Sequence, residues 1–306
     1  MNKKSRRFAA VDCLLILMMV VPIAVAIVLK VLTTPLSEGI SISGARVYLT
    51  IKMPLQDLLI TEAQINSWLV MLSVFALCLF LTHGIKVKAD TKRQHAVEWI
   101  VEKSKALVNE NMGEYFSGFS PFIAAILALS AFSSLLSLFG LYPPTSDLNV
   151  VAGWAILVFA LITYYKLKCG VWHYIKGFGD PVAFLAPMNV IGEIATPISM
   201  SFRHYGNVLS GTVISALIAA GLQGASSIVL GWLPGFLGEI PFLQIGLPAV
   251  LSIYFDVFSG VLQAYIFAML TMMYVASGFP ADDYFKRKEL KKNKTKKFNK
   301  DKLEVV

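Results

Sequence analysis

Residues 182–222 read VAFLAPMNVIGEIATPISMSFRHYGNVLSGTVISALIAAGL, and this stretch decides the class of fold. It is almost wholly apolar. As one helix rising ~1.5 Å per residue it would be about 60 Å long, twice the ~30 Å hydrocarbon layer that ~20 apolar residues cross. A single arginine, Arg203, stands near its centre. Four shorter apolar runs precede it, Phe8 to Leu29, Ile65 to Ile85, Phe119 to Leu141 and Val150 to Leu167, each long enough for one crossing. A second long stretch, Pro241 to Ser277, follows. Each long stretch is either a hairpin of two short helices or one long, steeply tilted helix, so hydropathy leaves six and eight crossings open.

The whole chain agrees with a polytopic membrane protein. Of its 306 residues 56% are hydrophobic and 15% charged, with a mean hydropathy of +0.66. A soluble chain carries about 25% charged residues, which argues against a soluble globular enzyme, and the apolar content excludes disorder for most of the chain. Cys13, Cys78 and Cys169 lie far apart, with neither metal-ligand spacing nor a disulfide framework. There is no HExxH, no GxSxG with plausible partners and no phosphate loop, so no catalytic residue, metal site or cofactor is expected. The basic tail stands beside a span, which accounts for it without nucleic acid.

Lysine and arginine collect in cytoplasmic loops, and here they alternate along the chain. Lys3, Lys4, Arg6 and Arg7 precede the first run; more lie between Lys86 and Lys105; Lys166, Lys168 and Lys176 follow the fourth run; a dense set fills Lys286 to Lys302. The segments 142–149 and 224–239 have none. This alternation predicts both termini in the cytoplasm and an even number of spans in a bacterial-type cell membrane. The first run, 22 residues long and containing Asp12, reads as an uncleaved signal anchor rather than a cleaved signal peptide. The chain thus divides into a basic segment with anchor helix (1–32), an external loop (33–63), a membrane domain (64–280) and a Lys-rich cytoplasmic tail (281–306). Residues Thr91 to Glu114, with Ala96, Ile100, Val101 and Leu107 among charges, predict an amphipathic helix on the cytoplasmic face.

A charged side chain at mid-membrane costs at least ~2.5–3.5 kcal/mol and faces a partner or a water-filled cavity. For Arg203 the plain alternative is a structural ion pair with Glu193, Asp256 or Glu239. The helical face through it, however, reads Gly192, Thr196, Ser199, Arg203, Gly206, Asn207, Ser210, a strip that lets another helix pass closely or lines water. The last long stretch carries a second such face: Asp256, Ser259, Gly260, Gln263, then Phe267, Leu270 and Tyr274. Glu193 and Asp256 are either proton-exchanging carboxylates or counter-ions of Arg203. His83, His95 and His173 fall near span ends as interfacial residues. His204 points about 100° away from Arg203 and is expected to pack against a neighbour.

At Arg203 a family resemblance enters. Ser199-Met200-Ser201-Phe202-Arg203-His204-Tyr205-Gly206-Asn207-Val208-Leu209-Ser210-Gly211 resembles the signature S-L-S-x-R-L-F-G-N-x-x-A-G of subunit a of F-type ATP synthases. Pro143 to Val150 (PPTSDLNV) resembles the family's P-T-A/S-D-x-N-V segment. Glu193 and Pro197 match E-x-x-x-P, and Gln263 to Thr271 (QAYIFAMLT) is similar to its Q-A-[FY]-[IV]-F-x-x-L-T helix. The match covers about residues 60 to 280. His204-Tyr205 replaces the usual Leu-Phe, Thr212 stands where many relatives carry Glu or His, and Asp256 where many carry His or Glu.

The resemblance implies an all-α architecture of about six transmembrane helices, the last two long and tilted, plus the cytoplasmic amphipathic helix. It implies a stator beside a rotating ring of c subunits, with subunit b of the peripheral stalk and the rest of the complex as partners. Two half-channels would load and unload ions on the ring, coupling a proton or Na⁺ gradient to ATP synthesis made elsewhere. Arg203 would separate the half-channels, Asn207 and Gln263 would orient it or line the path, and Glu193 and Asp256 would serve channel water, Asp256 on the outer side. Ser199, Ser210, Thr212, Ser259 and Tyr274 are secondary candidates. A reading from another class is a self-contained ion channel or secondary transporter.

Overall fold

The computed structural model describes residues 3–33, 44–54, 56–87, 91–179, 183–230, 246, 250–251, 253–281, 284–286 and 289, with side chains left out at 3–9, 33, 173, 183, 230 and 256. Glu239, much of Pro241 to Ser277 before Ile253, and residues 290–306 lie outside the described residues.

Six helices among these residues are long and apolar enough to cross a membrane: Ala10–Leu32, Glu62–Thr82, Glu114–Phe139, Leu148–Cys169, Ala186–Val229 and Ile253–Gly278. The architecture is all-α and polytopic, as expected. In chain order the helices are α1 (Lys3–Thr33), α2 (Glu62–Thr82), α3 (Lys92–Met112), α4 (Ser120–Leu135), α5 (Leu148–Lys166), α6 (Val171–Gly177), α7 (Ala186–Leu230) and α8 (Gly260–Gly278). The stretch that opened the sequence reading is a single helix: α7 runs 45 residues through Pro197 without a break. At ~1.5 Å per residue it is about 67 Å long, so it must lean or extend beyond a bilayer of ~30 Å core thickness.

Local chemistry sets the ends. Thr91 caps α3 by accepting a hydrogen bond from the Gln94 amide, 3.3 Å, and Asp147 caps α5 by accepting from the Asn149 amide, 2.9 Å. Gly140 closes the turn after α4 with φ 71°, a left-handed conformation that favours glycine. Before α8, residues Ile253–Ser259 form a π-helical segment. Its wider turns rotate the chain relative to a 3.6-residue repeat.

The core lies among α4, α5, α8 and the inner face of α3, around Ile123, Val158, Phe267, Met272 and Val275, all buried. α8 crosses α4 at Gly260, where an added Cβ would lie 2.6 Å from Ser134 Cβ; only glycine permits that approach. At one pole the ends of α5 and α8 meet the start of α4: Tyr115 stacks on Phe279 at 4.7 Å, and the Lys168 ammonium donates to the Tyr115 hydroxyl at 2.9 Å while sitting 4.6 Å over the Tyr165 ring.

The structure adds detail in two places. The segment given as an external loop contains an antiparallel hairpin, β1 (Val47–Ile51) with β2 (Leu58–Thr61), Thr50 opposite Leu59. The amphipathic helix exists as α3, but its inner face is Gln94, Val108 and Met112. Of the four apolar positions expected to define it, Leu107 joins the core margin while Ile100 and Val101 are exposed.

α1 lies against α2 and is held at both ends. At one end Asp12 accepts from Arg93 Nη1 at 3.2 Å and pairs with His83 Nδ1 at 2.9 Å, and Arg93 also donates to the His83 carbonyl. At the other end the Lys30 ammonium meets the Glu62 carboxylate at 3.0 Å. Between them the Ser73 hydroxyl donates to the Met19 carbonyl, 3.2 Å.

Candidate functional site: the polar strip of α7 and its two flanks

The strip read from the sequence is a physical face of α7. Gly192, Ser199, Arg203, Asn207 and Ser210 are exposed, Thr196 and Gly206 half-buried. Its hydroxyls turn back onto their own helix: Thr196 donates to the Gly192 carbonyl at 3.0 Å and Ser210 to the Gly206 carbonyl at 2.6 Å. A Cβ at Gly192 or Gly206 would meet nothing within 4 Å, so the face is open. Among the described residues Arg203 makes no hydrogen bond or ion pair. The ion-pair alternative for it therefore finds no support from Glu193, whose carboxylate is engaged elsewhere; the Asp256 side chain and Glu239 lie outside the described residues.

Beside Arg203 the second strip meets the first. Asn207 Nδ2 donates to Gln263 Oε1 at 2.6 Å, joining an exposed residue of α7 to one of α8 that is 2% exposed. One turn further along α8, Phe267 is buried against His204. The π-helical segment reaches α7 at Phe255, 3.5 Å from where a Gly211 Cβ would stand. Thr212 spends its hydroxyl on the Leu209 carbonyl, 2.8 Å. Ser259 is half-buried, and Ser199 remains on the open face with Arg203.

Glu193 belongs to a different group, below the arginine toward the start of α7. The Lys166 ammonium donates to Glu193 Oε1 at 2.9 Å, and the Tyr174 hydroxyl donates to the same oxygen at 3.0 Å. Gly278 lets the Lys166 chain run close over α8, with Lys166 Cε 3.2 Å from the position of an added Cβ. These residues line a polar cavity of about 480 Å³ that also reaches Asn189, Thr196 and Ser277; an adjoining cavity of about 140 Å³ adds Tyr274. Both are roomy and polar enough for water. The sequence reading missed Lys166 and Tyr174 as partners of Glu193. The signal available was a lysine ending an apolar run.

Tyr174 lies outside the spans. Burial first, and then its hydrogen bond to and charge repulsion from Glu193, push its phenol up to about 12 from 10. The folded protein holds this proton more tightly than an unfolded chain does. The stabilisation is present below pH ~10 and fades as pH rises toward about 12. In Glu193→Gln the phenol is expected to titrate at lower pH, with the burial part of the shift remaining. Phenolate absorbance, with Tyr174→Phe as the blank, checks it.

At the opposite pole a polar collar surrounds the start of α5. Asn66 donates to the Tyr142 carbonyl at 2.8 Å, Thr61 to Asp147 Oδ2 at 3.4 Å, and the Tyr142 hydroxyl to the Ser146 carbonyl at 3.1 Å. Burial, helped by the nearby Asp147, raises the Tyr142 phenol, which remains protonated at neutral pH. Among the described residues there is no cluster of three or more His, Cys, Asp or Glu side chains that would hold a metal.

Known proteins are similar to this chain in sequence. The family described as ATP synthase A chain matches residues 64–276. The protein named ATP synthase subunit a of Legionella pneumophila (strain Philadelphia 1) is 28% identical over 226 residues, covering 73% of this chain and 89% of its own. Those of Macrococcus caseolyticus and Desulforamulus reducens are 31% and 32% identical, covering 66% and 70% of this chain and 83% and 78% of theirs. With its motif arginine on an open helix face, its Asn–Gln pair beside it and a family match over most of its length, the chain belongs to the ATP synthase A chain family.

Proposed function

We propose that this chain is the stationary ion-conducting subunit of an F-type ATP synthase, a membrane subunit that itself makes no bonds. Arg203 stands on the face that meets a ring of c subunits, each carrying one carboxylate. The observation that carries this reading is the Arg203 strip: a cation without an internal partner among the described residues, on an open face of small and polar residues. A nearby positive charge lowers a carboxyl pKa, so a ring carboxylate passing Arg203 gives up its ion there. Arginine suits this task because burial neutralises a lysine far more readily.

The polar cavity at Glu193, roomy enough for several waters, is the half-channel toward the cytoplasm, on the pole that carries Lys166, Lys168 and Lys176. The collar at Asp147 opens the outer half-channel, with Asp256 serving it. Asn207 and Gln263 hold the path at the depth of Arg203, and Ser199, Ser210, Thr212, Ser259 and Tyr274 border it. The positive-inside distribution supports both termini in the cytoplasm, with 1–32 as an anchor segment, 33–63 outside, 64–280 as the conducting domain and 281–306 as a basic tail. Subunit b and the catalytic head complete the assembly. One charge crossing 100 mV releases ~2.3 kcal/mol, so several ions cross for each ATP.

Reconstitution separates this reading from a self-contained channel or transporter. The purified chain alone in liposomes is expected to pass little current, with flux appearing when the whole membrane sector is rebuilt. Strong, selective flux from the chain alone would overturn it.

A further inference from the structure

The strip accounts for the exposed face of α7; the buried face carries a second set of polar groups. His204 is fully buried, 0% exposed, turned away from Arg203 into the bundle. Its Nε2 lies 3.3 Å from the Ser130 hydroxyl, and its ring meets Trp154 and Phe267 edge to face. Nδ1 is buried with no hydrogen-bond partner among the described residues. A buried imidazole nitrogen left unpaired costs free energy, and a leucine, the usual family residue here, would avoid that cost.

Ser130 is not isolated. Ser134 follows it by one helical turn on the same side of α4, and its hydroxyl lies 3.3 Å from that of Thr145, at the collar. Ser146 beside Thr145 also has a buried hydroxyl oxygen with no partner. Thr145, Ser134, Ser130 and His204 thus form a buried polar seam from the Asp147 pole to the depth of Arg203. At its inner end Asn207 follows His204 by three residues on α7 and joins Gln263. Each hydroxyl both donates and accepts, and a neutral imidazole donates at one nitrogen and accepts at the other.

We propose that His204 is a proton-relaying residue: its buried imidazole passes protons between the hydroxyl seam Thr145–Ser134–Ser130 and the Asn207–Gln263 pair beside Arg203, making the proton the ion this chain conducts. The inference rests on the half-channel reading and names its ion and one of its residues. In each passage Nε2 takes a proton from the Ser130 side while Nδ1 releases one, through water, to the Asn207–Gln263 pair. The ring ends as the other tautomer with no net change in charge, and a ring flip resets it. Water spans the one-turn interval between Ser130 and Ser134. Hydroxyl and imidazole groups serve a proton; the seam offers no carboxylate to replace the water shell of Na⁺.

The test uses the whole complex in inverted membrane vesicles carrying His204→Leu or His204→Gln. Passive proton conduction is measured after the catalytic head is stripped, in buffer without Na⁺. Both variants are expected to lose about 100-fold, the lower range for a positioned proton-transferring side chain, with normal amounts of complex in the membrane. Glutamine keeps a hydrogen bond to Ser130 but cannot change tautomer, so it carries the test if leucine disturbs assembly. Wild-type conduction in His204→Gln would overturn the relay, as would a requirement of the parent complex for Na⁺. Arg203→Ala in parallel vesicles tells the two readings apart. If it abolishes coupling while both His204 variants conduct normally, the relay alone fails; if it leaves coupling intact, the half-channel reading fails with it.

Discussion

Arg203→Ala in the intact complex is expected to abolish ATP-driven ion pumping and ATP synthesis while leaving assembly unchanged. Both halves of that result follow from the position of the side chain. Arg203 is exposed on α7 and has no hydrogen bond or ion pair among the described residues, so its removal leaves no buried group unpaired. A substitution of that kind usually moves stability within about ±0.5 kcal/mol. The functional effect is of a different size. A cation beside a carboxylate lowers its pKa by about 1–3 units, so its loss reduces the ratio of ionised to protonated ring carboxylate by about 10- to 1,000-fold. The same charge also repels a cation moving directly from one half-channel to the other, so the alanine variant should leak. Subunit content by immunoblot, ATP-driven acidification and ATP synthesis by the same vesicles check the three parts. Normal coupling would remove the central residue from the mechanism.

Gly260→Val is expected to produce the opposite pattern, loss of the protein rather than of its activity. A Cβ at this position would stand 2.6 Å from Ser134 Cβ and 3.2 Å from Ser134 Oγ. Neither atom is the far end of a flexible chain, so α4 and α8 must separate. Overpacking of this kind costs about 1–3 kcal/mol, or about 5- to 160-fold in the ratio of folded to unfolded protein, and valine's second branch adds to it. Gly260→Ala should do less damage, because alanine's helix propensity returns ~1 kcal/mol. Ser134→Gly in the same chain removes the obstructing atoms and should restore membrane levels of Gly260→Ala. Levels that are normal without that second change would mean the two helices do not cross this closely.

What the sequence made legible is the part governed by composition and by rare residues. Apolar runs of bilayer length cannot be anything but spans, and a lone arginine in such a run had to face something other than lipid; its strip is the open face found on α7. The unbroken α7 was left open by hydropathy, because a 41-residue apolar stretch satisfies a hairpin and a tilted helix equally. The hairpin at 47–61 was missed because β1 is exposed throughout, so it carries no alternation of buried and open positions. The π-helical segment before α8 was invisible for a related reason. It is a change of hydrogen-bond register, which residue composition does not announce. On α3 the apolar Ile100 and Val101 pointed away from the protein, where a membrane surface attracts them, while Gln94 turned inward. Long-range polar partners were the hardest: Lys166 and Glu193 are 27 residues apart, and nothing local to either announces the other. The seam had a faint signal, since Ser130 and Ser134 share one face of an otherwise apolar helix.

The double attachment of α1 matters most under load. On the proposed stator role, a ring driven past this chain would drag on it sideways, and a helix tethered at one border alone would swing like a gate. Asp12 with Arg93 and His83 at one border, and Lys30 with Glu62 at the other, turn α1 and α2 into a braced ladder with a rung at each end. Such a frame resists shear through charges at its two ends, with the Ser73–Met19 hydrogen bond as a further tie between them.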